Sequence, residues 1–273
     1  MPYATLSGIR VHYEAYGAGD PVLLINGLGG PAVSWLYQVR DLSKRYRVIT
    51  FDNRGVGETD LPDEPAYPTA QMAEDARALL DHLEIERAHV VGASMGGTIA
   101  MELAIRHPKR VRSLGLLCTW ARGDGRFLHT VESWMQTAPM LSAEERFRHV
   151  IMPWVYTAKI LGDRAAVDDF VKRTLAYPFP TRPAALERQG RGLLEWNGSR
   201  LKDLRRLRMP ALVLVGRDDI LTPPAFSREL ARIIPRARLR ILPGGHGFFI
   251  EEADLLNRAL LRFFGGVARR AAP

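Results

Sequence analysis

The feature that most constrains this chain is a rhythm of short apolar runs separated by segments of helical period. Val22–Ile25, Val48–Phe51, His89–Val91, Leu114–Leu117 and Ala211–Val215 are largely apolar without alternation. Runs of that length suit strands covered on both faces. Between them, Trp35, Val39 and Leu42, then Met72, Ala76, Leu79, Leu80 and Leu83, then Ile99, Leu103 and Ala104 recur at helical spacing. Strand and helix in alternation predict a mainly parallel sheet with helices on both sides, and functional residues just past the carboxyl ends of strands. One segment differs. Ile9, Val11 and Tyr13 alternate with Arg10, His12 and Glu14, which predicts a half-buried antiparallel edge strand ended by the turn at Gly17–Pro21.

The rhythm stops after Trp120 and resumes near Met209, leaving about 80 residues of helical period interrupted by five prolines between Pro139 and Pro183. We read residues 122–202 as an inserted helical cap between two parts of one core, 1–121 and 203–273. The large apolar residues of the cap, among them Trp134, Met140, Met152, Tyr156 and Phe179, are expected mostly to pack with one another. Gly265–Pro273 reads as a frayed tail.

Composition narrows the function classes. With 273 residues, 47% of them hydrophobic, the chain can bury a substantial core and is neither disordered nor a disulfide scaffold. Its one cysteine, Cys118, excludes an intramolecular disulfide and a Cys-rich metal site. Arg10, His12 and Glu14 break any early apolar stretch, and no run approaches the ~18 residues of a membrane span, so a cytoplasmic protein without membrane association is expected. The net charge of +8 is scattered arginine interrupted by apolar residues, as in Arg236–Arg240. That pattern reads as a solvated basic surface, not a nucleic-acid motif.

The chemistry begins at Val90–Ala100, where an apolar strand runs through Gly92-Ala93-Ser94-Met95-Gly96 straight into a helical pattern. This is a nucleophile elbow. Reversal from strand to helix in so few residues brings backbone segments together, so Gly92 and Gly96 stand where a side chain would clash and Ser94 is held at the tip. A serine hydroxyl needs a base to take its proton and a third group to orient that base. Gly216-Arg217-Asp218-Asp219 follows one strand and Gly244-Gly245-His246-Gly247 follows the next. The 27 positions from Asp219 to His246 accommodate one helix and one strand, which brings the two loops out side by side.

These motifs, with Asn26-Gly27-Leu28-Gly29-Gly30 and Phe51-Asp52-Asn53-Arg54-Gly55-Val56-Gly57, resemble the α/β-hydrolase superfamily over nearly the whole chain. The resemblance implies an α/β-hydrolase fold, a mostly parallel central sheet flanked by helices with an inserted helical cap. It implies the catalytic order Ser94, Asp219, His246, with the register of the Gly216 loop selecting Asp219 over Asp218. It also implies that the backbone N–H groups of Leu28 and Met95 form the oxyanion hole. Asn26 stands where the family commonly has His, an arrangement similar to that of 3-oxoadipate enol-lactonases and related esterases.

The implied activity is a serine hydrolase acting on a small-molecule ester or lactone, with no cofactor and no metal. Carbon–carbon bond hydrolysis, perhydrolysis and a ligand-sensing role without turnover are the alternatives on the same fold. The cap arginines Arg182, Arg188 and Arg191 point to a carboxylate-bearing substrate. Asp52 and Arg54 are read as loop ties. His12, His82, His89, His107, His129 and His149 are read as structural, and Cys118 as a packed residue. Trp35 and Trp120 are equally compatible with an acyl pocket and with core packing.

Overall fold

Each apolar run becomes a strand in the computed structural model, which describes residues 2–271. The strands are β1 (Tyr3–Leu6), β2 (Ile9–Tyr16), β3 (Pro21–Ile25), β4 (Arg47–Phe51), β5 (Ala88–Ala93), β6 (Val111–Leu117), β7 (Ala211–Gly216) and β8 (Ala237–Leu242). They form one sheet in the order β1-β2-β4-β3-β5-β6-β7-β8. β2 pairs antiparallel with β1 and β4, and all other neighbours are parallel. The Ile9–Glu14 alternation therefore lies on an antiparallel strand, but second from the edge. The edge itself is β1, whose 4 residues are too few to carry a periodic signal.

The core helices are α1 (Leu36–Leu42), α2 (Thr69–His82) and α3 (Met95–Arg106). Between β6 and β7 come α4 (Gly125–Thr137), α5 (Ala143–Glu145), a π-helical turn at Arg146–Ile151, α6 (Met152–Val155), α7 (Ala158–Leu161), α8 (Arg164–Leu175), α9 (Pro183–Trp196) and α10 (Leu201–Leu204). The chain closes with α11 (Pro224–Ile233), α12 (Phe248–Glu251) and α13 (Ala253–Ala271). Successive residues of β3 serve opposite faces: Leu23 and Ile25 join the core formed with α2 and α3, while Val22 and Leu24 join that formed with α1 and α13. Burial on both faces is why these strands read as continuous apolar runs.

One expectation needs correction. The segment from Gly265 to Ala271 is the end of α13, not a frayed tail, and residues 272–273 lie outside the described part. Phe264 packs against the sheet and Val267 is also buried, and that burial outweighs the cost of two glycines in a helix. In the inserted segment, Met152 and Tyr156 form a small cluster with Val171, and Trp134 joins the main core. Met140 at 78% exposure and Phe179 at 39% pack inside neither. Among the described residues, no helix is long and apolar enough to cross a membrane.

His89 on β5 shows what burial does to a structural histidine. Its ring centroid lies 4.5 Å from that of Phe264, and Nδ1 is 2.7 Å from Ser113 Oγ. Burial, reinforced by the nearby positive charge of Arg112, pulls its pKa down to about 4 from 6.5. Between those values the unfolded chain binds a proton that the folded chain refuses. Stability from this site is therefore complete above pH 6.5 and lost as the pH falls toward 4. A gap of that size corresponds to on the order of 3 kcal/mol. Thermal melts at pH 7 and 4.5 should show a smaller acid-induced drop for His89→Leu than for the unaltered protein; equal drops would remove His89 as a cause of acid sensitivity.

Candidate active site

The turn from β5 into α3 puts Ser94 at φ 54°, ψ −122°, a left-handed backbone that a non-glycine residue adopts only when its surroundings hold it there. Those surroundings are specific. The Ser94 N–H donates to Leu117 O at 2.8 Å, and its carbonyl accepts from Gly97 N and Thr119 Oγ1, each at 2.9 Å. A Cβ on Gly92 would lie 2.1 Å from Gly96 O, and one on Gly96 would lie 2.1 Å from Ile25 O. Only glycine at both positions allows the turn to close against β3. Ser94 itself is half-buried beyond the carboxyl end of β5.

The acid and imidazole loops follow β7 and β8. Asp219 Oδ1 accepts from the N–H groups of Leu221 (3.0 Å) and Thr222 (2.8 Å), while Oδ2 lies 2.9 Å from His246 Nδ1. Both side chains are buried, whereas Asp218 is exposed. A carboxylate on Nδ1 keeps the ring proton there and leaves Nε2 as the acceptor. Thr222 Oγ1 lies 2.8 Å from Asp219 Oδ2 and 2.9 Å from Cys118 O, so its single proton is shared between the acid and the end of β6. Because Ser94 hangs from Leu117 and Thr119 on either side of Cys118, this one residue links the acid–imidazole pair to the elbow. Among the described residues no hydrogen bond joins Ser94 Oγ to His246; such contacts often tighten only when substrate is bound.

The loop after β3 lies directly over the serine: a Cβ on Gly27 would sit 3.7 Å from Ser94 Oγ. Asn26 builds this loop. Its Oδ1 accepts from Gly27 N at 2.8 Å and its Nδ2 donates to Pro31 O at 2.7 Å. Gly29 N donates to Gln189 Oε1 and Gly30 N to Gly27 O. The Leu28 N–H, between these engaged groups, makes no hydrogen bond among the described residues. Met95 is the first residue of α3, where backbone N–H groups have no intrahelical acceptor and the helix dipole favours negative charge. The expected donors thus belong to the loop over Ser94 and to the residue that follows it.

The family model described as alpha/beta hydrolase fold matches residues 20–253. The chain belongs to this family. A protein named carbamate hydrolase RutD, from Azorhizobium caulinodans, is 35% identical over 98% of this chain and 99% of its own length. The structure named non-heme bromoperoxidase BpoC, from Mycobacterium tuberculosis, matches at TM-score 0.84 with 32% identity, covering 94% of this chain and 96% of that one. An enol-lactonase from Burkholderia xenovorans matches at TM-score 0.83 with 29% identity, covering 97% and 100%.

In this α/β hydrolase the other singled-out residues have structural partners. Asp52 accepts from Ala32 N, His12 Nδ1 and Glu58 N, tying its own loop to β2 and to the segment after β3. Arg54 is buried against Asp75 and Glu64. Burial and the charge of Asp219 push the Cys118 thiol up, which makes it a poor nucleophile. Trp120 packs on Phe127 and Trp35 on Phe249, both fully buried in core clusters. The three cap arginines are engaged elsewhere: Arg182 with Gly55 O and Thr59 O, Arg188 with Pro62 O and Asp63, Arg191 with Glu187. Arg182 and Arg188 fasten loops and Arg191 pairs within α9; Arg188 and Arg191 are charge-paired, whereas Arg182 meets only carbonyls. A basic cleft of about 520 Å³, lined by Arg87, Arg206, Arg208 and Arg236, opens at the amino ends of β6–β8, away from Ser94.

Two positioning residues escaped the sequence reading. Gln189 of α9 donates to Arg54 O while accepting from Gly29, which ties the inserted helices to the loop over Ser94. Glu251 of α12 accepts from Gly245 N and Thr157 N, and Gly247 N donates to Val155 O, so the His246 loop is strapped to the α6–α7 segment. Neither residue sits in a motif. Their partners lie up to 160 positions away, and only the folded chain brings them together.

Proposed function

We propose that this enzyme is a serine hydrolase of small carboxylic esters or lactones. The observation that carries this reading is the half-buried Ser94, held at positive φ under a loop whose Leu28 N–H makes no hydrogen bond among the described residues, with the buried Asp219–His246 pair joined through Thr222 to Cys118 O. Ser94 Oγ attacks the substrate carbonyl while His246 Nε2 takes its proton. Asp219 holds Nδ1 and balances the imidazolium. The Leu28 and Met95 amides stabilise the oxyanion; collapse expels the alcohol, which receives the proton from His246. Water, deprotonated by the same imidazole, then releases the acid and restores Ser94. The cycle consumes one water, needs no cofactor, and leaves substrate selection to the inserted helices, 122–202. Similarity to proteins named carbamate hydrolase and enol-lactonase supports an acyl substrate, since carbamates and lactones share the carbonyl on which this chemistry acts.

A fluorophosphonate probe followed by peptide mapping tests the assignment. An adduct on the peptide carrying Ser94, with turnover of p-nitrophenyl esters or lactones, is the expected result. No adduct, or an adduct on another residue, would overturn it.

A further inference from the structure

The loop over Ser94 closes as a four-residue turn in which Gly30 N donates to Gly27 O at 3.1 Å. Gly29, at the third position, has φ 66°, whereas Leu28 before it stays outside the left-handed region. That is the pattern of a type II turn, which differs from type I in the orientation of its central peptide, here Leu28–Gly29. The inserted segment holds that peptide in place. Gly29 N, which belongs to it, donates to Gln189 Oε1 at 2.9 Å, and Gly29 O accepts from Thr181 Oγ1 at 2.6 Å. A Cβ on Gly29 would lie 2.9 Å from Thr181 Cγ2 and 3.3 Å from Leu186 Cδ1, so the contact is closely packed as well as polar.

Gln189 is fully buried, and both ends of its amide are used. Its Nε2 donates to Arg54 O at 3.0 Å, and Arg54 is itself fixed by Asp75 and Glu64. Reversing the amide would set donor against donor and acceptor against acceptor, so one orientation alone satisfies both backbone groups. With Gly27 O, Gly29 N and Gly29 O all engaged, the turn is restrained on both sides of the Leu28 N–H, which has no partner among the described residues. Two of those three restraints come from side chains 152 and 160 positions away, in the inserted segment.

We propose that the inserted segment takes part in the reaction as well as in substrate selection: Gln189, assisted by Thr181, is a positioning residue that aims the Leu28 N–H at the developing oxyanion. This rests on the reading of Ser94 as nucleophile and Leu28 as an oxyanion donor. Oxyanion stabilisation depends on donors fixed before the charge appears. Freeing the central peptide loosens one such donor in the transition state and leaves ground-state contacts with the substrate in place. The loss therefore falls on kcat and not on KM.

The test measures hydrolysis of p-nitrophenyl acetate and inhibition by a trifluoromethyl ketone, whose tetrahedral adduct with Ser94 places an oxyanion at the same donors. Gln189→Leu should lower kcat by on the order of 10- to 100-fold and change KM by less than about threefold. Ketone affinity should fall by a factor comparable to the loss in kcat. The control is Trp196→Phe, which removes a different tie between α9 and the core, from Trp196 Nε1 to Glu102 Oε1 at 3.0 Å. There kcat and ketone affinity should stay within about threefold of the unaltered enzyme. Unchanged kcat in Gln189→Leu, a loss carried by KM, or an equal loss in Trp196→Phe overturns the proposal. Should Gln189→Leu lack a cooperative melt, Thr181→Val decides: a fall in kcat at constant KM supports the role, and unchanged kcat refutes it. Full kcat in Gln189→Leu alongside labelling of Ser94 would sink only the Gln189 assignment, whereas absence of hydrolysis and of labelling would sink the underlying reaction.

Discussion

Ser94→Ala is expected to lower kcat for ester hydrolysis by a factor on the order of 10⁴ to 10⁶. The size follows from the way such groups act as one unit. In the proposed mechanism no acyl-enzyme forms without Oγ, and the Asp219–His246 pair then has nothing to deprotonate except water. What remains is the oxyanion site, which binds but does not attack. The substitution removes one oxygen and leaves the supports of the turn in place, because Leu117 O, Gly97 N and Thr119 Oγ1 all bind the Ser94 backbone. The variant should therefore melt cooperatively near the temperature of the unaltered protein. Steady-state assay of a purified variant, with active-site titration to exclude contaminating enzyme, checks the claim. A rate within tenfold of the original would mean that another group does the chemistry.

Arg54→Met is expected to have the largest effect on stability. The guanidinium meets Asp75 through Nε at 2.8 Å and Nη2 at 2.9 Å, and Glu64 through Nη1 at 3.1 Å. Burial already holds the Asp75 carboxyl above the usual range despite this partner. Methionine would leave that carboxyl buried without its cation, and breaking such a pair typically costs about 3–5 kcal/mol. For a chain of this size the melting temperature should fall by roughly 10 °C. Asp75→Leu added to Arg54→Met should recover a substantial part, since the cost lies in the stranded charge more than in the lost attraction. A single variant that melts within about 2 °C of the original would show that the pair is not a stability determinant.

The legible parts of the chain were those whose signals are local. An unbroken run such as Val22–Ile25 announces a strand covered on both sides because neither face has to meet water. The elbow could be read because strand, glycines, serine and helix are adjacent, and the backbone crowding they create is itself local: Gly92 meets Gly96 across four positions. The loops of Asp219 and His246 were legible as strand-end loops, but the choice between Asp218 and Asp219 came from family register. In the fold the choice is visible as burial, with Asp219 turned inward to Nδ1 and Asp218 outward.

Arginines were the poorest guide. In the sequence, Arg182, Arg188 and Arg191 look like a cluster of free charge. The fold reverses this, because what decides an arginine's role is which acceptors lie within reach, and those of Arg182 are 123 and 127 positions away. The same limit hid Gln189 and Glu251, whose importance lies in the segments they join. Gly265–Ala271 was misjudged for a related reason: glycine content describes a propensity, and the burial of Phe264 and Val267 overrode it.

Local order in the chain therefore determined the layered sheet, the strained serine turn and the ends of strands at which acid and imidazole loops emerge, since each depends on neighbours within a few residues. Tertiary structure alone decided which acceptors engage Arg182 and Arg188, how Gln189 ties the inserted helices to the loop over Ser94, and how Glu251 straps the His246 loop. Those are outcomes of burial and of contacts between distant segments, and they have no counterpart in residue spacing.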